Sequence, residues 1–237
     1  SAASDVYKRQ GYHGVILSVY KNFQGIKVEG NRIRAKAGSM LVSISQAARE
    51  AGLSGMEFAS GIPGTLGGGV RMNAGAYGGE MKDIVQNVTV LTRDGEIREL
   101  EKEELGFGYR ASVIKDRGYV VLGAELMLVP GDKEKILARM QELKNKRVEK
   151  QPLEYPSAGS AFKRPEGYFA GKLVMDAGLS GYAVGGAKVS EKHCGFLINA
   201  GGATASDVME LIRQIQAKVK EQFGVQLEPE IQFLGEF

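Results

Sequence analysis

The chain has 237 residues, 43% hydrophobic and 25% charged, enough for one large or two small domains with a real core. Its formal charge of +3 is small and dispersed, which argues against a nucleic-acid partner and suits an anionic small molecule. One cysteine, Cys194, excludes an internal disulfide; with two histidines it cannot complete a structural Cys/His zinc site, so no metal is expected. The longest apolar run, "YVVLGAELML" at 119–128, is half of a membrane helix and contains Glu125, so no membrane partner is expected. The single cysteine also fits a reducing, cytoplasmic compartment.

Residues 1–10, "SAASDVYKRQ", lack an initiator Met, a signal-peptide apolar core and any periodicity continuous with residue 11 onwards. They are expected to be foreign and unstructured. From 11 to 130 the pattern is mostly strands and tight turns. "GVILSVY" leads into two alternating runs separated by Gly30-Asn31, a hairpin signal. A helix is predicted at about 41–51, with Leu41, Ile44, Ala47, Ala48 and Ala51 on one face. A glycine loop comes next, then a hairpin pinned by Asp94-Gly95 and a buried strand ending at Pro130. The character changes there, and the domain boundary is placed near 130. Residues 133–147 form an amphipathic stripe of Ile136, Leu137, Met140 and Leu143. The segment 152–171 is too rich in Gly and Pro for a regular element. A long helix at 206–222 is entered through the capping-box string Thr204-Ala205-Ser206-Asp207, with Val208, Leu211, Ile212, Ile215 and Val219 as its core stripe. Strands mixed with occasional helices indicate α+β rather than regular βαβ winding.

Five motifs have chemical potential. In "ASGIPGTLGGGVRMNAGAYGGEM" (59–81), Gly61, Gly64, Gly67, Gly68 and Gly69 allow positive φ and a run of convergent N–H groups suited to pyrophosphate. The string also reads as a tight turn between packed strands, although Asn73 and Tyr77 inside it favour a ligand. It is neither G-x-G-x-x-G nor a P-loop. In "FGYRASVIKDRG" (107–118), Arg110 falls where a strand would begin and is either a solvated residue or a fork for a carboxylate or phosphate. Ser160, in "PSAGSAFKRP", has no G-x-S-x-G elbow and no evident base. It is a turn residue or a positioned proton donor to a carbanion. In "VQLEPEIQFLG" (225–235), alternation puts Glu228 and Glu230 on one face of a strand, solvated or aimed into a cleft. In "GGAKVSEKHCGFLIN" (185–199), His193 is a packed residue or a ligand contact.

In this order the five strings resemble the UDP-N-acetylenolpyruvoylglucosamine reductase family of peptidoglycan precursor synthesis, over about residues 11 to 237, in its shorter form without an extra tyrosine-bearing loop. The resemblance implies an FAD-binding domain of the PCMH/vanillyl-alcohol-oxidase type (11–130, second subdomain, partial), followed by an α+β UDP-sugar-binding domain (131–237). It implies FAD as cofactor and NADPH as co-substrate in the reduction of UDP-N-acetylglucosamine enolpyruvate to UDP-N-acetylmuramate, with hydride to C3 and a proton from Ser160 to C2. Arg110 and Glu230 match the residues that stabilise the enolate-like intermediate. Gly61, Ile62, Pro63, Gly64, Thr65, Gly67 and Gly68 match a pyrophosphate loop, and Asn73, Ala74 and Gly75 the flavin lining. Lys150, Lys163 and His193 fall at substrate-contacting positions. The family's first pyrophosphate loop has no match here. The first subdomain is therefore expected to be largely missing and FAD binding to be weak or lost, the alternative being an inactive fragment that only holds the UDP-sugar.

Overall fold

The structure, a computed structural model, describes residues 14–235. Contacts divide the chain into two compact units, Ile16–Arg147 and the residues from Val148 on. In chain order the first carries β1 (Ile26–Glu29), β2 (Arg32–Lys36), α1 (Leu41–Glu50), β3 (Leu53–Ser54), α2 (Leu66–Arg71), β4 (Gly75–Ala76), β5 (Gly79–Glu80), α3 (Met81–Ile84), β6 (Val85–Leu91), β7 (Ile97–Glu101), α4 (Val113–Arg117), β8 (Val120–Met127) and β9 (Val129–Pro130). The helix α5 (Lys133–Lys150) runs across the division. The sequence boundary near 130 therefore stands at the start of a helix that packs mostly with the first unit. The second unit holds β10 (Ser157–Ser160), α6 (Ala170–Asp176), β11 (Ala183–Val184), β12 (Ala187–Val189), β13 (Phe196–Asn199) and α7 (Ala205–Phe223).

The main sheet of the first unit is antiparallel throughout, in the order β1-β2-β8-β6-β7. The β1–β2 turn has Gly30 at φ 60°, the first central position of a two-residue hairpin loop. At the other hairpin Gly95 takes φ 85° and the chain closes through Thr92 N–H to the Glu96 carbonyl, 2.8 Å. Alternation decides the faces: in β2, Ile33 and Ala35 are buried while Arg32, Arg34 and Lys36 face water. The apolar face is covered by α1 and α2, which bring Leu41, Ile44, Leu66 and Val70 onto Ile33, Val88 and Leu126. On the opposite face the buried Glu125 carboxylate accepts from Arg32 (3.1 Å) and Arg34 (2.7 Å), as a buried charge requires.

In the second unit a four-stranded antiparallel sheet, β10-β13-β12-β11, packs on α6 and α7. The stripe Val208, Leu211, Ile212, Ile215 and Val219 is buried along α7. Thr204 and Asp207 cap it reciprocally, with Asp207 N–H to Thr204 Oγ1 at 3.1 Å and Thr204 N–H to Asp207 Oδ2 at 2.9 Å. The Thr204 N–H, helped by the Thr204 side chain and the Gly186 N–H, holds the Asp207 carboxyl below its ordinary pKa against the effect of burial.

Four local expectations change. "GVILSVY" is not a strand over its described residues, and Val15 and Leu17 are exposed. Residues 225–235 form a single bridge, Phe162 with Pro229, rather than a strand. The glycine- and proline-rich segment does hold a strand, β10, because Gly159 at φ 85° makes the bulge that lets Ser157 and Ser160 both pair with β13. Along α5 only Ile136 and Leu143 are buried, while Leu137 is exposed. No helix among the described residues is long and apolar enough to cross a membrane.

Candidate functional site

The glycine loop links a 3-10 turn (Glu57–Ala59) to α2, and Thr65 takes the N-cap position. None of Gly61, Gly64, Gly67, Gly68 or Gly69 adopts positive φ; the nearby residues that do are Gly78 (91°) and the non-glycines Asn73 (43°), Tyr77 (53°) and Arg110 (53°). The glycines are explained by space instead. A Cβ at Gly67 or Gly69 would press on Ala37 or Leu41 at 3.1 Å, and one at Gly75 would sit 2.7 Å from Glu80 Cγ. Gly64 and Gly68 differ: a Cβ at 64 would meet nothing within 4 Å, and one at 68 only Thr65 Oγ1 at 3.9 Å. Nothing in the chain itself excludes a side chain there.

The backbone donors of the loop divide similarly. Leu66 N–H bonds to the Ser39 carbonyl (2.8 Å), Gly67 N–H to Ala37 (2.9 Å) and Ile62 N–H to Ala59 (3.1 Å). The N–H groups of Gly64, Thr65 and Gly68 find no acceptor among the described residues. Donors without acceptors, next to glycines without steric cause, form a bare cradle of the sort a flavin's pyrophosphate needs. Ile62 and Ala74 pack on the core and serve as anchors; Pro63 is exposed.

Arg110 does not begin a strand. It occupies the third position of the turn Gly108–Ala111, closed by Gly108 N–H to the Ala111 carbonyl at 3.1 Å, with its guanidinium 5.2 Å from the Tyr109 ring centre. A non-glycine residue held left-handed costs about 1–2 kcal/mol, and such strain clusters at functional sites. Asn73, Ala74, Gly75 and Arg110 all lie in this region: Arg110 Nη2 reaches the Gly75 carbonyl at 3.5 Å.

Three groups in this unit escaped the sequence reading. Glu80 accepts from Asn73 Nδ2 at 2.7 Å, and Ser112 ties the chain just after the turn to the Arg71 carbonyl at 2.7 Å. Arg147 lies so close to Gly61 that a Cβ there would be 1.7 Å from its Nη1, and its guanidinium stands 5.7 Å from the Tyr77 ring. In sequence Arg147 was one more cation on an amphipathic helix, and nothing marked its position.

In the second unit Ser160 ends β10, opposite Phe196. It is exposed, and its hydroxyl has no hydrogen-bond partner among the described residues. The residues after it pair with the C-terminal segment: Lys163 N–H to the Glu228 carbonyl and Glu230 N–H to the Ala161 carbonyl, both 2.8 Å. Ser160, Lys163 and Glu230 are therefore neighbours on two joined segments. The Lys163 ammonium pairs with the exposed Glu228 carboxylate, a surface pair of about 0–1 kcal/mol that an anionic ligand can displace.

His193 lies within reach of the Lys150 charge. The His193 ring stacks edge-on against Phe196 at 5.0 Å, and its Nδ1 accepts from Gly195 N–H at 3.1 Å, leaving Nε2 to carry the proton of the neutral ring. Burial pulls its pKa below the ordinary 6.5, and the Lys150 charge adds to this, outweighing a hydrogen bond to its own backbone. The folded state thus binds this proton less readily than the unfolded chain. The stability that His193 contributes is present above pH 6.5 and falls as pH drops through 6.5 towards the lowered value. Urea unfolding at pH values above and below 6.5 should show this loss in the parent chain and a flatter profile in His193→Gln.

A family model described as "FAD binding domain" matches residues 1–101, and one described as "UDP-N-acetylenolpyruvoylglucosamine reductase, C-terminal domain" matches residues 151–234. An FAD-binding domain followed by a reductase C-terminal domain marks a flavin-dependent oxidoreductase. The chain is 53% identical over 240 residues to the UDP-N-acetylenolpyruvoylglucosamine reductase of Agathobacter rectalis, covering 96% of this chain and 76% of that protein. It is 52% identical to that of Pediococcus pentosaceus, over 100% of this chain and 78% of the relative. The crystal structure of the enzyme from Thermus caldophilus superposes with a TM-score of 0.74 at 43% identity, over 84% of this chain and 71% of that one. The chain belongs to the UDP-N-acetylenolpyruvoylglucosamine reductase family, and its cofactor is FAD. The flavin-domain match begins at residue 1, within the ten residues set apart as foreign, which lie outside the described residues.

Proposed function

We propose that the chain reduces UDP-N-acetylglucosamine enolpyruvate to UDP-N-acetylmuramate with NADPH, as a cytoplasmic step of peptidoglycan precursor synthesis. Bound in the glycine loop, FAD would supply two-electron hydride chemistry between NADPH and C3 of the enolpyruvyl group. That addition leaves an electron pair on C2, next to a carboxylate. Ser160 delivers the proton that C2 needs and recovers its own from solvent. Arg110 and Glu230 stabilise the intermediate as negative charge spreads onto the carboxylate, an interaction stronger in the transition state than in the ground state. Lys150, Lys163 and His193 bind the UDP-sugar, the two cations by charge and the neutral imidazole by hydrogen bonding. The Gly61–Gly68 loop holds the pyrophosphate of FAD, with Ala74 and Gly75 behind the flavin and Asn73 holding the backbone that carries them.

The observation that carries the reading is the state of Ser160: an exposed hydroxyl on a strand end that is hydrogen-bonded to no base among the described residues. A nucleophilic serine needs such a base, whereas a general acid to a carbanion does not. The test is steady-state oxidation of NADPH by the FAD-supplemented chain, with the product analysed by mass spectrometry. Oxidation that depends on the enolpyruvyl sugar and yields its lactyl ether supports the reading; oxidation that ignores the sugar, or none, removes it.

The cradle has its own test. Gly68 lies inside α2 without positive φ, so Gly68→Ala should stabilise the fold by about 0.5–1 kcal/mol. The same methyl would stand where the cofactor approaches, and FAD affinity should fall by about tenfold or more, a cost of about 1.4 kcal/mol. Urea midpoints and an FAD titration measure both, and unchanged affinity would place the pyrophosphate elsewhere.

A further inference from the structure

We infer that Asn73 is a positioning residue for Arg110: its side chain holds the turn that presents the guanidinium and does not contact the flavin. The inference rests on the reading of Arg110 as a carboxylate-binding group. Asn73 is 1% exposed, and its amide is committed within the chain. Its Nδ2 donates to Glu80 Oε2 at 2.7 Å and to the Gly108 carbonyl at 3.0 Å, while its Oδ1 accepts from Lys82 N–H at 2.9 Å. Both donor hydrogens are used, and one of two acceptor positions. A flavin carbonyl or ring-nitrogen acceptor would have to break one of the two donor bonds to reach this amide.

Gly108, the residue Asn73 holds, opens the turn in which Arg110 sits at φ 53°. The far end of that turn has its own tether. Ser112, also 1% exposed, donates from Oγ to the Arg71 carbonyl at 2.7 Å. Arg71 and Asn73 flank Met72 at the end of α2, so the turn is pinned at both ends to the segment that leaves the glycine loop. Asn73 is itself left-handed, and Lys82 N–H and Glu80 fix it from the far side of the β4–β5 hairpin. Glu80 is in turn paired with Lys82 Nζ at 3.2 Å. A left-handed arginine persists only where its surroundings over-determine the backbone. These two side-chain tethers supply that constraint, and they couple the arginine to the flavin loop as one rigid piece.

The experiment compares two ligands that differ by the carboxylate: UDP-N-acetylmuramate, which carries it, and UDP-N-acetylglucosamine, which lacks it. Affinities are measured by calorimetry on the FAD-supplemented chain, for Asn73→Ala, Ser112→Ala and Arg110→Ala and for each tether variant combined with Arg110→Ala. Asn73→Ala should weaken UDP-N-acetylmuramate by about tenfold, the size of one charge-assisted hydrogen bond lost. UDP-N-acetylglucosamine and FAD affinities should stay within about twofold, below the coupling that contacting residues show. In the Arg110→Ala background the Asn73→Ala effect should vanish. Ser112→Ala should repeat the pattern, and it decides the matter should Asn73→Ala fail to fold. Weakened FAD with intact carboxylate discrimination would make Asn73 a flavin contact and overturn the inference. So would an Asn73 effect that survives loss of Arg110, or a silent Ser112→Ala. If Arg110→Ala alone leaves discrimination intact, it is the reading of Arg110 that fails, and the positioning role goes with it.

Discussion

Ser160→Ala is expected to slow reoxidation of the reduced flavin by the enolpyruvyl sugar by about 10²–10⁴-fold, the range of a lost general acid. Reduction of the flavin by NADPH should proceed at the parent rate, because no proton is delivered to carbon in that half-reaction. Stability should change little, since the hydroxyl is exposed and makes no hydrogen bond among the described residues. Rapid mixing of each half-reaction separates the two. Equal losses in both would mean that the serine shapes the site without donating the proton. Ser160→Cys is a useful second variant, for a thiol is an acid of different pKa, and partial activity with a shifted pH profile would mark the group as a donor.

Arg110→Gly should produce opposite changes in activity and stability. The arginine holds φ 53° at a cost of about 1–2 kcal/mol, which glycine does not carry, so the urea midpoint should rise. Turnover of the enolpyruvyl sugar should fall by about 10²–10³-fold, the loss seen when one preorganised donor to a developing charge is removed. Arg110→Lys keeps the charge but not the planar fork, and should recover only part of the rate. A rise in stability with unchanged turnover would reduce Arg110 to a turn residue with an unexplained conformation. Residues strained for function commonly show this exchange of activity for stability.

The elements legible in the sequence were those specified locally. Gly30-Asn31 and Asp94-Gly95 made both hairpins of the main sheet readable, because tight turns depend on one residue's φ. Thr204 and Asp207 disclosed the start of α7, and the apolar stripe behind them its buried face. Features that rest on tertiary contact were not legible. The glycine loop looked like a run of positive φ, yet Gly67, Gly69 and Gly75 answer to Ala37, Leu41 and Glu80, which lie far away or across a hairpin. The segment 225–235 alternates like a strand, but it pairs only with the chain after Ser160 and through one bridge. Arg110 was identifiable as a candidate by its family motif; that a turn holds it left-handed, tethered by Asn73 and Ser112, depends on hydrogen bonds 35 and 41 residues apart in sequence. Asn73 stood out as a polar group in a glycine-alanine run and was read as lining the flavin, while its partners Glu80 and Gly108 passed unnoticed.

The most direct measurement omits NADPH. The FAD-loaded chain is reduced chemically under anaerobic conditions and mixed with UDP-N-acetylglucosamine enolpyruvate while flavin absorbance is followed. If the chain is the reductase proposed, the oxidised flavin spectrum returns within a single turnover, with one molecule of UDP-N-acetylmuramate formed per flavin. A flavin that stays reduced in the presence of bound sugar would contradict that function.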